Sequence, residues 1–481
     1  MGADVNAADI FGAASSSTPA SASMTPAWPA PLAPVAYHGP IGAVVRALEP
    51  ETEADPAAIL IQMLVMFGNV VGRGPSFAVG ADVHHLNLFA GIVGETGKAR
   101  KGVSRGQAQR IFGAVDADWT ARCTSSGLSS GEGLIWTVRD AIETTQPVKE
   151  KGRVIDYQTV VEDSGVADKR LLVVESELAS TLKVMAREGN TLSPVVRQAW
   201  DGLDLRVITK SSPARATAPH ISIIGHITKD ELRRYLSATE VANGFGNRFL
   251  WVCARRSKEL PDGGRTVDLT RHASALTEAV RWASGAGTLT RDAEAGALWH
   301  RLYGRLSAGR PGMVGAMTNR AEAQVMRLAC LYAVGDMSYV VRPAHLHAGL
   351  AVWRYCFDSA VFLFGDRLGD PIADDILLAL RHAYPESLTR SYITRDLFGR
   401  NRPAHDVDRA LQLLRQHRLA TAEVDHSGEG RPVERWVFVE SSADDIDDID
   451  DISPAADGGS VVNVVNVVRP AGESGVPNER Y

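Results

Sequence analysis

Lysine is scarce in this sequence: of 51 basic residues in 481, only nine are lysines and none lies beyond Lys258. Cysteine is scarcer still. Cys123, Cys253, Cys330 and Cys356 stand far apart with no CxxC pair, which argues against a thiolate zinc site and against a disulfide framework. A long apolar run is missing as well. The longest, Ala57 to Val71, is interrupted by Gln62 and Asn69 and falls short of the roughly 20 residues that span a bilayer. It reads as a buried helix, and no membrane partner is expected. The N-terminus has no basic segment ahead of an apolar one, so no secretory leader is expected and the cytoplasm is the expected compartment. Aromatic residues make up only 6%, but 45% hydrophobic and 22% charged residues over this length suit more than one folded core.

The net charge of -6 is unevenly distributed. Residues 441–481 carry nine acids against Arg469 and Arg480, so residues 1–440 are close to neutral. The overall acidity therefore says nothing against a nucleic-acid surface on the folded part. Both ends are of low complexity. Residues 1–36 are rich in Ala, Ser, Thr and Pro, too poor in large apolar side chains to offset the entropy of ordering, and are expected to be a flexible leader. Residues 441–481 are expected to be an acidic, disordered tail in which ADDIDDIDDIS precedes VVNVVNVV. The Val/Asn run has high β propensity and no charge. It is either a loose end or a strand offered to the sheet edge of a partner, such as a replication protein.

Between the ends, the pattern predicts an α/β core over 37–270 with a mainly parallel sheet. Ile41 to Val71 reads as helical, and Leu86–Val93, Leu171–Val174, His220–Gly225 and Arg248–Ala254 read as buried strands. Arg105–Trp119 reads as a helix with Ile111, Phe112, Val115 and Trp119 on one face. A helical extension is predicted over 271–370, with stripes at Val325, Leu328, Ala329, Tyr332 and at Leu346, Leu350, Trp353, Phe357, Phe364. Residues 371–440 read as helix, short helix, helix, strand, glycine turn, strand, the order of a winged helix. Arg409, Arg415 and Arg418 on its third helix, with Arg431 and Arg435 on the wing, are the candidate DNA contacts. From Arg381 to Trp436, however, ten arginines face eight acids, and winged helices also serve as protein-packing modules.

The sharpest signal is GETGKARKGVS, Gly94 to Ser104, between an apolar strand and a helix. Glycines let backbone N–H groups turn towards phosphate oxygens, a helix N-terminus adds partial positive charge, a lysine spans the terminal phosphates and a hydroxyl holds magnesium. The strict GxxxxGK[ST] register, aligned on Gly97 to Ser104, puts Val103 where lysine belongs. Two lysines remain, Lys98 and Lys101, the latter just before Gly102, and either can supply the charge. A basic surface turn would carry glycines too. Two lysines this close, in a chain that otherwise prefers arginine, favour phosphate, for which a compact ammonium is a point-charge ligand.

Together with YHGPIGAVVRALEPETEADPAA, FGNVVGRGPSF, GLSSGEGL, LLVVESELA, IIGHITKDEL and NGFGNRFLW, this loop resembles a widespread bacterial family of P-loop ATPase domains. Its members are similar to RecA and DnaB-type ATPases and often accompany primase-polymerase domains in phage, plasmid and integrated-element replication proteins. The resemblance covers about residues 37–365. It implies a RecA-like P-loop core that binds ATP and Mg2+, and a backbone role for Val103, where family members usually carry Thr. No primase-polymerase domain is visible.

Hydrolysis needs an acid near magnesium and a base that aligns water. Glu175 and Glu177 end an apolar strand at the Walker B position, and Ser104 with Glu175 are the candidate magnesium ligands. Glu132, in SSGEGL, stands where RecA-like proteins place the water-activating Glu. His226 and Thr228 follow a strand and are placed to sense a γ-phosphate, or to fill a core position. Arg248 is a candidate arginine finger, which implies a homo-oligomeric ring or filament, or else a structural salt bridge. His84 and His85 read as structural. The expectation is a helicase-like DNA-associated motor in the replication or maintenance of a mobile element. The alternatives are a non-hydrolysing, nucleotide-bound DNA-binding regulator and a replisome assembly factor.

Overall fold

The computed structural model describes residues 27–150, 153–208, 214–310, 312–365, 367–425 and 432–439. A parallel sheet organises the chain through β1 (Phe89–Val93), β2 (Thr124–Ser125), β3 (Arg170–Glu175), β4 (His220–Ile227) and β5 (Phe249–Cys253), in the spatial order β5-β1-β4-β3-β2. Ile223 of β4 pairs with Phe89 on one side and Val173 on the other, and Phe249 pairs with Phe89. The carboxyl ends Val93, Glu175, Ile227 and Cys253 therefore share one edge. The strands are apolar at successive positions because both faces are covered. Ala90, Ile92, Leu172, Val174, Leu250 and Val252 enter one core, while Phe89, Val93, Leu171, Val173, Phe249 and Trp251 enter the other.

Helix α1 (Pro56–Val70) covers the first core and is buried along nearly its whole length. The helical stretch expected from Ile41 to Val71 consists of two helices, Gly39–Leu48 and α1. The intervening EPETEADP restarts the chain: Pro56 takes the first helical position, and the Asp55 carboxylate accepts the backbone N–H of Ala57 at 3.0 Å. Helix α2 (Lys101–Val115) likewise starts earlier than periodicity indicated and stops at Asp116, whose side chain caps a separate turn, Ala117–Arg122.

The helices Thr270–Ala283, Ala293–Leu306, Gly312–Thr318, Ala321–Gly335 and Pro343–Phe364 do not stand apart as an extension. Their apolar stripes need a surface, and α1 provides it: Val325, Leu328 and Leu331 share a cluster with Leu60, Leu64 and Phe67. Strand Thr288–Arg291 pairs with Ser76–Val79, and buried Arg327 donates to the carbonyls of Asn87 and Trp200. The expected leader also ends early. Trp28 packs edge-on against Phe362 with centroids 5.1 Å apart, and Leu32 and Ala36 are buried.

An antiparallel hairpin, Ile142–Glu150 with Arg153–Asp163, was not foreseen. Residues 371–438 contain helices Pro371–Ala383 and Ala404–Gln416, short helical turns over 390–397, and an antiparallel sheet in the order Leu388–Thr389, Val433–Phe438, Ala420–Asp425. They share a core of Ile376, Leu380, Ile393, Val407, Leu411 and Trp436. Residues 426–431, with Arg431, and the acidic tail 441–481 lie outside the described residues. No described helix is long and apolar enough to cross a membrane.

Candidate functional site

Strand β1 ends at Val93, and the chain turns through Gly94–Arg100 into α2, so the glycine-lysine loop lies at the carboxyl edge between β5 and β4. Open parallel sheets bind ligands at this edge, outside the strand ends. Two glycines are required for different reasons. A Cβ on Gly94 would lie 2.3 Å from the Ala254 carbonyl oxygen, and Gly97 has φ +69, a left-handed conformation that favours glycine. Gly102 meets neither constraint. The first turn of α2 contains no acid, which leaves its partial positive charge uncompensated.

The structure separates the two lysines. Lys98 is exposed, with Glu95 as a distant partner at 3.8 Å. Lys101, the first residue of α2, folds back so that its ammonium donates to the carbonyls of Gly94 and, at 3.1 Å, Ile227. It thus bridges the ends of β1 and β4, and burial pushes its pKa below the usual lysine value, opposed by Glu231. Arg100, left-handed at φ 52, is anchored by Glu53 at 2.7 Å. A backbone N–H from Leu260 and the guanidinium of Arg256 hold the Glu53 carboxyl down at about 2.

Beneath the loop runs a buried polar chain. Gln62 of α1 donates to Ser104 Oγ at 2.7 Å and to the Ala58 carbonyl at 3.0 Å. Its Oε1 therefore accepts from His226 Nε2 at 3.0 Å, while Ser104 donates to the Lys101 carbonyl at 2.8 Å. Val103, by contrast, is 42% exposed. Ser104, expected to face a metal, is buried and engaged on both sides. His226, expected to face a phosphate, is buried against Gln62, and burial pushes its pKa down to about 4. Thr228 caps the next helix in a capping box with Glu231.

Glu175 sits at the end of β3, as expected, but it is also a structural tie: its Oε1 accepts the backbone N–H groups of Gly127 and Leu128 at 2.7 and 2.8 Å. Glu177 is exposed at the start of the following helix. Arg105 Nη1 reaches Ser176 at 2.8 Å, drawing α2 towards this strand end. Glu132 lies in the first turn of the helix Gly131–Thr137 and accepts from the Thr191 hydroxyl at 2.8 Å. Arg248 takes the second of its two expected roles, the structural salt bridge. It precedes β5, at the sheet edge opposite the loop, and its side chain is only 7% exposed. There it donates to the Gly244 carbonyl and to Asp201, both at 2.7 Å.

Of the C-terminal arginines, Arg409 is paired with Asp370, the cap of helix Pro371–Ala383, while its side chain stays more than half exposed. Arg415 and Arg418 are exposed, and Arg435 is partly buried on strand Val433–Phe438. Among the described residues, His38, Asp336 and His345 have the side-chain types and proximity for a cation. Their hydrogen bonds give another account. His345 Nδ1 accepts the Arg342 N–H, so its proton sits on Nε2, which donates to Asp336 Oδ2 at 3.2 Å; His38 reaches the same oxygen at 2.7 Å. Gln62 and Glu53 were not singled out as site residues. The signal for Gln62 was a polar side chain inside an otherwise apolar helix. A scan against protein-family models and a search of curated proteins find no match to this chain.

Proposed function

We propose that the chain has a RecA-like P-loop core that binds and hydrolyses ATP, and that it acts as a helicase-like motor on DNA in the maintenance or replication of a mobile element. On this reading residues 371–440 are a winged helix in contact with DNA through Arg415, Arg418 and Arg435, and the active form is a homo-oligomer. The observation that carries the reading is Lys101, whose ammonium spans the Gly94 and Ile227 carbonyls at the mouth of a glycine loop between a parallel strand and a helix N-terminus. Supporting it, β4 lies between the loop strand β1 and the acid-bearing strand β3.

ATP supplies the transferable γ-phosphate. The chain supplies the left-handed backbone at Gly97, the uncompensated start of α2 and an ammonium that can exchange two carbonyl partners for phosphate oxygens. The donor set for magnesium fits less well. Ser104 is held by Gln62 and the Lys101 carbonyl, and one Glu175 oxygen is held by two backbone N–H groups. The same observation favours the second reading, a nucleotide-bound DNA regulator without turnover.

Equilibrium ATP binding tests the first part. Lys101→Ala weakens affinity by about tenfold or more, whereas Lys98→Ala changes it by less than about threefold. Equal effects, or none, overturn the assignment. Steady-state hydrolysis with and without single-stranded DNA separates the two readings. Turnover in wild type that Glu175→Gln abolishes supports the motor; no turnover in wild type leaves the regulator.

A further inference from the structure

A cavity of about 730 Å³ opens at the amino edge of the parallel sheet, at the end opposite the Gly94 loop. Its walls come from strand Ser76–Val79, the segment Asn243–Arg248 and the helices Ala293–Leu306 and Ala321–Gly335. Three guanidinium groups line it: Arg248, Arg291 and Arg320. Two of them are answered. Arg248 and Arg320 share Asp201 at 2.7 and 3.5 Å, and Arg320 also donates to Asn247 Oδ1 at 3.2 Å.

Arg291 is different. Its guanidinium lies over the Phe77 and Trp299 rings, 5.4 and 5.3 Å from their centroids, and its Nη1 is buried without a hydrogen-bond partner. Among the described residues no carboxylate forms an ion pair with it. Arg248 Nε, in the same wall, is buried and unpartnered too. Among the described residues Glu322 is the one acid lining the cavity, so with Asp201 counted the arginines there keep an excess of one positive charge. His84 in the wall does not add to it at neutral pH, because burial lowers its pKa.

A desolvated guanidinium without an anion is costly to keep. Two aromatic rings flank this one, and a guanidinium is a planar fork suited to bidentate capture of an oxyanion. Asn247, whose amide oxygen is already taken by Arg320, has its amide nitrogen left to donate. The cavity volume is in the range of small-ligand sites. We propose that this cavity binds the phosphate group of a phosphate ester, with Arg291 as the principal ligand and Arg320 and Asn247 beside it. The site is separate from the Gly94 loop and does not depend on the nucleotide reading of that loop.

The test uses the full chain carrying Lys101→Ala, which disables the loop, titrated with inorganic phosphate by calorimetry. One saturable site with a dissociation constant on the order of 1 mM or tighter is expected, weakened by about tenfold when Arg291→Met is added. Arg291→Met keeps an apolar stem between the rings, and Arg291→Lys, which keeps a charge but not the fork, falls between. No saturable binding in the Lys101→Ala chain, or binding that Arg291→Met leaves unchanged, overturns the site. Displacement of phosphate by a mononucleotide but not by a single-stranded oligonucleotide identifies a small ester, and the reverse identifies a nucleic-acid backbone. Either supports the site, and displacement by neither overturns its assignment to esters. Should Arg291→Met not fold, tungstate soaked into crystals of the wild-type chain gives the location directly. Anomalous density against Arg291 supports the proposal, and density absent from this cavity overturns it.

Discussion

Gln62 is fully buried in the middle of α1, where its amide meets Ser104, His226 and the Ala58 carbonyl. These contacts join the first turn of α2, the end of β4 and the covering helix into one unit under the loop. Replacing the amide by an apolar side chain of similar size strips partners from a buried hydroxyl and a buried imidazole at once. Gln62→Met is expected to cost about 1–3 kcal/mol in urea denaturation, and a loss below about 0.5 kcal/mol would count against the network. In the sequence Gln62 registers only as a break in hydrophobicity. Lys98 and Lys101 register as equals, because both lie in the same short basic loop. Their difference comes from where the backbone turns: Arg100 adopts a left-handed conformation, helix α2 begins at the next residue, and only Lys101 is carried between the two strand ends.

At the scale of elements, strands buried on both faces were the most legible, since a run such as LLVV, Leu171–Val174, has no polar side to offer to water. Helix ends were less so. The break after Leu48 and the stop at Asp116 depend on local capping that a periodic pattern does not register. The hairpin Ile142–Glu150 with Arg153–Asp163 went unread, although alternation in VIDYQTVV and the Lys151-Gly152 pair between the two runs are a hairpin signal. Its side chains add little to either core: Ile155, Tyr157 and Val161 are 61, 64 and 55% exposed. Replacing residues 144–160 by a short glycine-serine turn is therefore expected to change unfolding free energy by less than about 0.5 kcal/mol, read as an unchanged urea midpoint. A large drop would mean that the hairpin packs against the cores.

For the whole molecule, pH reports on how the layers are joined. Burial holds His85, His220 and His226 at about 4, 3 and 4, so each is neutral in the folded chain and takes up a proton on unfolding. Because these folded values lie below the unfolded one, the stability they contribute is present above about pH 6.5 and is lost as the pH falls towards 4. His38 works in the opposite direction. Its hydrogen bond to Asp336 raises its pKa, so its contribution is full below about pH 6.5 and is lost as the pH rises through the raised value. Burial lowers His84 and His347 as well, so five imidazoles against one predict a lower urea midpoint at pH 5 than at pH 7, and an equal or higher midpoint would contradict their burial. In His38→Ala the alkaline loss between pH 6 and pH 8 should shrink relative to wild type.

Short-range chemistry was legible in the sequence by itself. Apolar runs with no polar face required a sheet covered on both sides, and a glycine-lysine stretch between such a run and a helix pointed to a loop at a strand end. The C-terminal order of helices and strands was readable in the same way. Only the tertiary structure decided what faces what. The strand order β5-β1-β4-β3-β2 sets the Lys101 loop beside Ile227 and leaves Arg248 at the far edge. Contacts between residues 164 positions apart turn His226 inward to Gln62. The folding of Ser76–Val79 against Thr288–Arg291 brings Phe77 over Arg291, a guanidinium that no acid among the described residues answers. Such pairings depend on which strands become neighbours, a property of the packed chain that no local spacing encodes.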